Sequence, residues 1–245
     1  MTGPPILHID DLCAHYGTAQ ILFGVSFDVP PGSIIALLGR NGAGKTTTLK
    51  SVMRIEVRTT GTVEFDGVDT RRMPTYRIAR AGIGYVPGDR RILPEMTVRD
   101  NLELGRYIAE TDRPPADFES VLAYFPMLRP LLSRRGGYLS GGEQQMLTIA
   151  RCLIGNPRLI LLDEPSEGLA PKIVAELIEI LAAIHAELAT SILITEQNTA
   201  MALTIASHVG LIDSGRIVFF GERELLQENA ELMHRYLGVQ AATAG

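Results

Sequence analysis

Apolar residues recur along this chain in two rhythms, which divide it into strands and helices. Ile21, Phe23, Val25, Phe27 and Val29 fall at every second position, and residues 6–12 alternate less regularly, the pattern of half-buried antiparallel strands. Residues 33–38, 159–162, 191–195 and 208–212 are nearly unbroken Ile, Leu and Val runs. They read as strands, and the run at 159–162 has the character of one buried on both faces of a parallel sheet. Residues 61–67 form a further β segment closed by Asp66-Gly67, residues 82–87 are strand-like, and Asp213-Ser214-Gly215 turns into residues 216–220.

The helical rhythm takes over between and after these runs. Residues 74–80 predict a short helix. Thr97 and Asp100 resemble a capping box, followed by Leu102, Leu104, Tyr107 and Ile108. More helix is expected over 117–133, broken near Pro126 and Pro130. Met146, Ile149, Ala150, Leu153 and Ile154 form one apolar stripe that stops at Gly155-Asn156-Pro157. Pro171 opens a long helix with Ile173, Val174, Leu177, Ile178, Leu181, Ile184 and Leu188 inward, and residues 222–237 read as a helical tail. The stretch 97–155 carries no clear strand, which makes it a candidate helical subdomain inserted into an α/β core.

The run at 33–38 delivers the chain into Gly39-Arg40-Asn41-Gly42-Ala43-Gly44-Lys45-Thr46-Thr47, which matches G-x-x-x-x-G-K-[ST]. Gly39, Gly42 and Gly44 have no Cβ to obstruct a close approach. Backbone N–H groups from Asn41 through Ala43 to Thr47 can therefore point at phosphate oxygens, beside the positive end of the helix that follows. Lys45 would reach the β- and γ-phosphates, and the Thr46 hydroxyl would ligate Mg²⁺. A glycine turn that binds nothing is the alternative, and the strand before and helix after argue against it. Tyr16, an aromatic beside Gly17, reads either as core packing or as a ring able to stack on an adenine.

Composition narrows the setting. The 245 residues are 46% hydrophobic, enough for one large packed domain, and 23 basic against 28 acidic residues give a net charge of −5. That balance offers no general field for nucleic acid or anionic lipid. No stretch approaches the roughly 20 apolar residues of a spanning helix, and Met1-Thr2-Gly3-Pro4-Pro5 lacks the form of a signal peptide, so a cytoplasmic location is expected. Cys13 and Cys152 have no metal-ligand or redox spacing and read as buried reduced thiols.

Two further stretches bear on the nucleotide. Leu159-Ile160-Leu161-Leu162 ends in Asp163-Glu164, as a buried strand does when it reaches a ligand crevice. Asp163 can hold the Mg²⁺ assigned to Thr46, and Glu164 can polarise a water attacking the γ-phosphate. Leu139-Ser140-Gly141-Gly142-Glu143 opens the helix of the apolar stripe. Ser140 suits an ordinary N-cap, but two glycines in a first helical turn cost stability. A second phosphate-binding helix start would account for them.

Together, the P-loop at 39–47, LSGGEQQ at 139–145 and LILLDEPSEGLAP at 159–171 resemble an ABC-type ATPase subunit over nearly the whole chain. The resemblance implies a P-loop NTPase α/β core with an antiparallel β subdomain and an inserted α-helical subdomain. It divides a single domain into a core over about 1–90 and 156–237, helices over 91–155 and a tail at 238–245. It implies adenine stacking on Tyr16, with Ser140, Gly141, Gly142 and Glu143 meeting the ATP held by another subunit in a head-to-tail dimer. ATP and Mg²⁺ are the implied cofactors.

More narrowly, VPGDRRILPEMTVRDNLELG, DEPSEGLAP, ITEQN and the ending RYLGV are similar to the LivF-type subunit of branched-chain amino acid importers. Urea and amide importer ATPases remain alternatives, with a soluble, non-transport ABC ATPase behind them. A non-hydrolysing adaptor is disfavoured by Glu164. The implied partners are a second ABC ATPase subunit, giving a heterodimer, and integral permease subunits that hold the chain on the inner face of the membrane; a solute receptor is met only indirectly. Three positions depart from the wider pattern: Gly88 replaces a loop glutamine, Ala170 an aspartate, and Gln197 the switch histidine. Gln197 is expected to contact the γ-phosphate without titrating.

Overall fold

In the computed structural model, which describes residues 3–108 and 113–237, the strand segments form two sheets. The antiparallel sheet contains β1 (Leu7–Tyr16), β2 (Ala19–Val29), β4 (Arg58–Phe65) and β5 (Val68–Asp69), in the order β2-β1-β4-β5. The second sheet joins β3 (Ile34–Leu38), β6 (Ile83–Val86), β7 (Leu159–Asp163), β8 (Ser191–Glu196), β9 (His208–Asp213) and β10 (Arg216–Glu222). Its order is β10-β9-β3-β8-β7-β6, parallel except for β10 at the edge.

The unbroken apolar runs follow from where this second sheet lies. Ile34, Ala36 and Leu38 of β3, with Ile160, Leu162, Ile192 and Ile194, pack in the helical layer. The intervening Ile35, Leu37, Leu159, Leu161 and Leu193 pack against residues of β1, β2, β4 and α1 (Lys45–Met53). Successive side chains point to opposite faces and both faces are covered, so every position must be apolar.

Helix α2 (Thr75–Arg80) packs on the other side of the sheet, where Ile78 joins the residues of β1, β2, β4 and α1. The helical layer holds α3 (Val98–Glu103), α4 (Phe118–Tyr124), α5 (Gly141–Ile154), α6 (Pro171–Leu188) and α7 (Thr199–Ile205), and the chain continues through α8 (Arg223–Glu228) and α9 (Ala230–Leu232). The capping box at Thr97 and Asp100 is present, with Thr97 accepting from Asp100 N. Pro126 opens a 3₁₀ turn over Pro126–Leu131, and Pro130 lies inside it.

Several expectations are corrected. The single inward face assigned to β2 shifts: Val25, Phe27 and Val29 are buried, but below them Leu22 is buried in place of Ile21 and Phe23. The β1–β2 register slips between Leu12↔Val25 and Ala14↔Leu22, next to Gly24 at φ 74°. An extra residue in one strand of a two-periodic pair moves later side chains to the other face. Tyr107 and Ile108 are exposed, as is Leu188 at the end of α6, whose buried side includes Ile180. Cys13 and Cys152 are free but only half-buried. Glu196 belongs to β8 and not to the loop after it. The tail at 238–245, the last two residues of RYLGV and Met1-Thr2 lie outside the described residues. No helix among the described residues is long and apolar enough to cross a membrane.

Register then assembles the site. Leu38 pairs with Glu196, and Asp163 with Thr195. Hence Gly39, Glu164 and Gln197 all leave the sheet at one edge, the carboxyl ends of three adjacent parallel strands, where open α/β sheets bind their ligands. Leu193 is fully buried in the middle of this arrangement. Leu193→Ala should lower the free energy of unfolding by about 2–5 kcal/mol, measured by urea titration. A loss well under about 1 kcal/mol would mean that β8 is not central to the core.

Candidate nucleotide site

The loop after β3 reaches α1 through Gly44 at φ 113°, where a Cβ would also meet Leu22 Cδ2 at 2.8 Å. Glycine satisfies both demands. Lys45 and Asp163 are 3% and 5% exposed, so each needs partners. Lys45 Nζ donates to the carbonyl oxygens of Gly39 (2.7 Å) and Arg40 (3.2 Å) and pairs with Glu164 Oε1 at 2.9 Å.

Asp163 is held by three hydroxyls from three segments. Thr46 Oγ1 and Thr195 Oγ1 each donate to Oδ1 at 2.8 Å, and the Tyr85 hydroxyl donates to Oδ2 at 3.3 Å. Burial raises the Asp163 pKa, while these hydrogen bonds oppose the rise by favouring the charged form. Burial, with the Asp163 charge behind it, likewise raises the pKa of the Tyr85 phenol, which therefore stays a donor. Glu164 turns out of β7 at φ 46°, and its N–H donates to the Thr195 carbonyl at 2.9 Å.

Two cavities open on these groups. One, of about 300 Å³, is lined by Tyr16, Gly42, Lys45, Thr46, Thr47 and Glu164. Tyr16 is 36% exposed at its rim, so the core-packing alternative for this ring does not hold. The other, of about 430 Å³, includes Asn41, Thr46, Tyr85, Gly88, Asp163 and Glu164. Gly39 and Ala43 lie behind: Ala43 is buried, and a Cβ on Gly39 would meet the Ile212 carbonyl oxygen at 2.4 Å.

Ser140, Gly141, Gly142 and Glu143 line neither cavity. They form a capping box at the start of α5, Glu143 N donating to Ser140 Oγ and Ser140 N to Glu143 Oε2. Both glycines also have side-chain neighbours within the chain, which periodicity could not reveal. A Cβ on Gly141 would lie 2.8 Å from Arg90 Nη1, and one on Gly142 3.1 Å from Ile173 Cγ2.

Of the departures, Gly88 is packed so that a Cβ would stand 3.0 Å from the Asp163 carbonyl oxygen. Ala170 precedes α6 with no side-chain cap. Gln197 is exposed just beyond β8. Sequence reasoning missed Tyr85, Thr195 and Glu196 as neighbours of the carboxylates. Polar residues closing an apolar run were the available signal for the last two; Tyr85 had none.

The arrangement defines a P-loop α/β protein with a carboxylate pair facing its phosphate loop. Residues 22–167 match the family model described as ABC transporter, and the chain belongs to that family as an ATP-binding ATPase subunit. It is 37% identical to the high-affinity branched-chain amino acid transport ATP-binding protein BraG of Pseudomonas aeruginosa, over 95% of this chain and 100% of BraG. It is 33% identical to the probable branched-chain amino acid transport ATP-binding protein LivF of Archaeoglobus fulgidus, over 93% and 97% of the two chains. Among solved structures, the ADP conformation of an ATP-binding cassette of an ABC transporter superposes with a TM-score of 0.79 at 26% identity, covering 93% of this chain and 95% of that one.

The packing account of the signature glycines is testable. Gly→Ala inside a helix ordinarily stabilises by roughly 0.5–1 kcal/mol. Gly142→Ala should not deliver that gain, because Ile173 stands in the way, whereas the same change in an Ile173→Ala background should. Urea unfolding of the four proteins measures the difference; equal effects in both backgrounds would contradict the contact.

Proposed function

We propose that this chain hydrolyses ATP at the P-loop to drive an importer of branched-chain or other hydrophobic amino acids. The observation that carries the site is that Lys45 and Thr46 contact Glu164 and Asp163 directly across more than a hundred residues of sequence. The similarity to BraG and LivF, whose names specify branched-chain amino acid transport, supports the solute class.

In this reading Tyr16 stacks on the adenine, and the backbone from Gly39 through Asn41, Gly42, Ala43 and Gly44 to Thr47 cradles the phosphates. Thr46 and Asp163 fit Mg²⁺: a hydroxyl and a carboxylate, both oxygen donors, are already side by side at the cavity wall. Mg²⁺, when bound, would neutralise charge on the β- and γ-phosphates. Lys45 exchanges its Glu164 contact for phosphate oxygens, which frees Glu164 to accept a proton from water. As the water oxygen bonds to the γ-phosphorus, the bond to the β–γ bridging oxygen breaks and ADP carries that electron pair away. Gln197 donates its amide hydrogen to the transferring group.

Ser140, Gly141, Gly142 and Glu143 line neither P-loop cavity, in keeping with contact to ATP on a second ABC subunit, which we take to be a different chain. We take a permease helix to dock in a groove near Gly88–Arg91 and the helical insertion; a cavity of roughly 300 Å³ there is lined by Ala79, Ile83, Tyr85, Leu104 and Arg151, and Arg151 Nη2 donates to the Arg91 carbonyl at 2.8 Å. Tyr85 also lines the nucleotide side and donates to Asp163, so one ring borders both surfaces. Docking there would hold the chain at the cytoplasmic face of the membrane.

Lys45→Ala should weaken ATP binding about ten- to a hundredfold, since charge-assisted hydrogen bonds worth roughly 1.5–3 kcal/mol are lost. Glu164→Gln should bind ATP as the parent does and turn it over far more slowly. Titration with ATP and a phosphate-release assay separate the two; parental turnover by Glu164→Gln would place the base elsewhere.

A further inference from the structure

The end of β8 meets the site with two neighbouring side chains on opposite faces of the strand. Thr195 turns to Asp163. Glu196 turns the other way, is 2% exposed, and binds two loops through its carboxylate: Ser166 N donates to Oε1 at 3.0 Å, Asn198 N donates to Oε2 at 3.1 Å, and the Ser166 side chain adds a further hydrogen bond. Those two amides belong to different loops. Ser166 lies between Glu164 and α6, while Asn198 directly follows Gln197.

Ordinary structural needs do not account for a carboxylate here. Helix α7 is already capped, because Asn198 Oδ1 accepts from Met201 N. Strand β8 is otherwise filled at this depth by Ile192, Leu193 and Ile194, and an apolar side chain would continue that packing. Burial disfavours the ionised form, and the nearby Glu164 charge adds to that penalty. An acid retained under those conditions is held by what it bonds, and its bonds go to loops that carry candidate catalytic groups.

We propose that Glu196 is a positioning residue that clamps the loop following Glu164 to the loop bearing Gln197, so that carboxylate and amide meet the γ-phosphate in a fixed relation. The proposal rests on the reading of Gln197 as a phosphate contact. Its chemistry is specific to a carboxylate. Each oxygen accepts one N–H, whereas a glutamine of the same shape has one acceptor and would set its own NH₂ against the second N–H. Glu196→Gln therefore severs one link without changing side-chain volume.

The test reads amide exchange in the full-length chain and ATP turnover in the assembled, permease-bound complex. In Glu196→Gln, exchange at Ser166 or Asn198 should rise about tenfold or more, while the amides of residues 192–194 keep parental protection. Turnover should fall about tenfold or more, with ATP affinity unchanged within about twofold. Added to Gln197→Ala, the same change should cost much less than it does alone. Parental exchange at both amides, parental turnover, loosening of β8 in step with the loops, or fully additive losses would each overturn the clamp. Failure of the Gln197 reading looks different: Gln197→Ala would then turn over ATP at the parental rate, while the exchange difference in Glu196→Gln would remain.

Discussion

Everything at the sheet edge depends on one buried carboxylate. Asp163 sits at the end of a strand covered on both faces, where an ion without partners is untenable, and it is made tenable by Thr46, Thr195 and Tyr85. Those hydroxyls come from the start of α1, the end of β8 and the strand β6. The carboxylate thus fixes the relative positions of three segments that chain connectivity leaves far apart. Lys45, one residue before Thr46, then meets Glu164, one residue after Asp163, without any further device.

On the proposed reading the chain has two active surfaces. Strand ends gather the phosphate loop, the carboxylates and Gln197, whereas the capped start of α5 belongs to the helical layer and lines neither nucleotide cavity. A signature that meets no nucleotide in its own chain is suited to one held by a second subunit. Its capping box between Ser140 and Glu143 is formed within the chain, and Ile173 lies close over Gly142.

Much of this was legible in the residues. The P-loop and the Asp163-Glu164 pair are local patterns whose spacing is dictated by phosphate chemistry, and the unbroken runs of β3, β7 and β8 announced strands covered on both sides. What escaped was non-local. Gly24 moves the buried face of β2 through a register slip that depends on the partner strand, and Tyr85 reaches Asp163 only because β6 pairs with β7. Glu196 looked like a loop residue because acids rarely end up enclosed, and its partners, Ser166 and the Asn198 N–H, are set by tertiary structure that the sequence does not display. Ile173, which lies over Gly142, is some thirty residues away and was hidden in the same way.

The central claim is that Asp163 and Thr46 form one oxygen-donor site beside the phosphates. Equilibrium ATP titrations with Mg²⁺ and with a chelator, on the parent and on Asp163→Asn, address it most directly. The account predicts that Mg²⁺ tightens ATP binding by the parent, and that Asp163→Asn loses this enhancement while keeping the parental affinity measured in chelator. An Asp163→Asn protein that retains the full Mg²⁺ enhancement would contradict it.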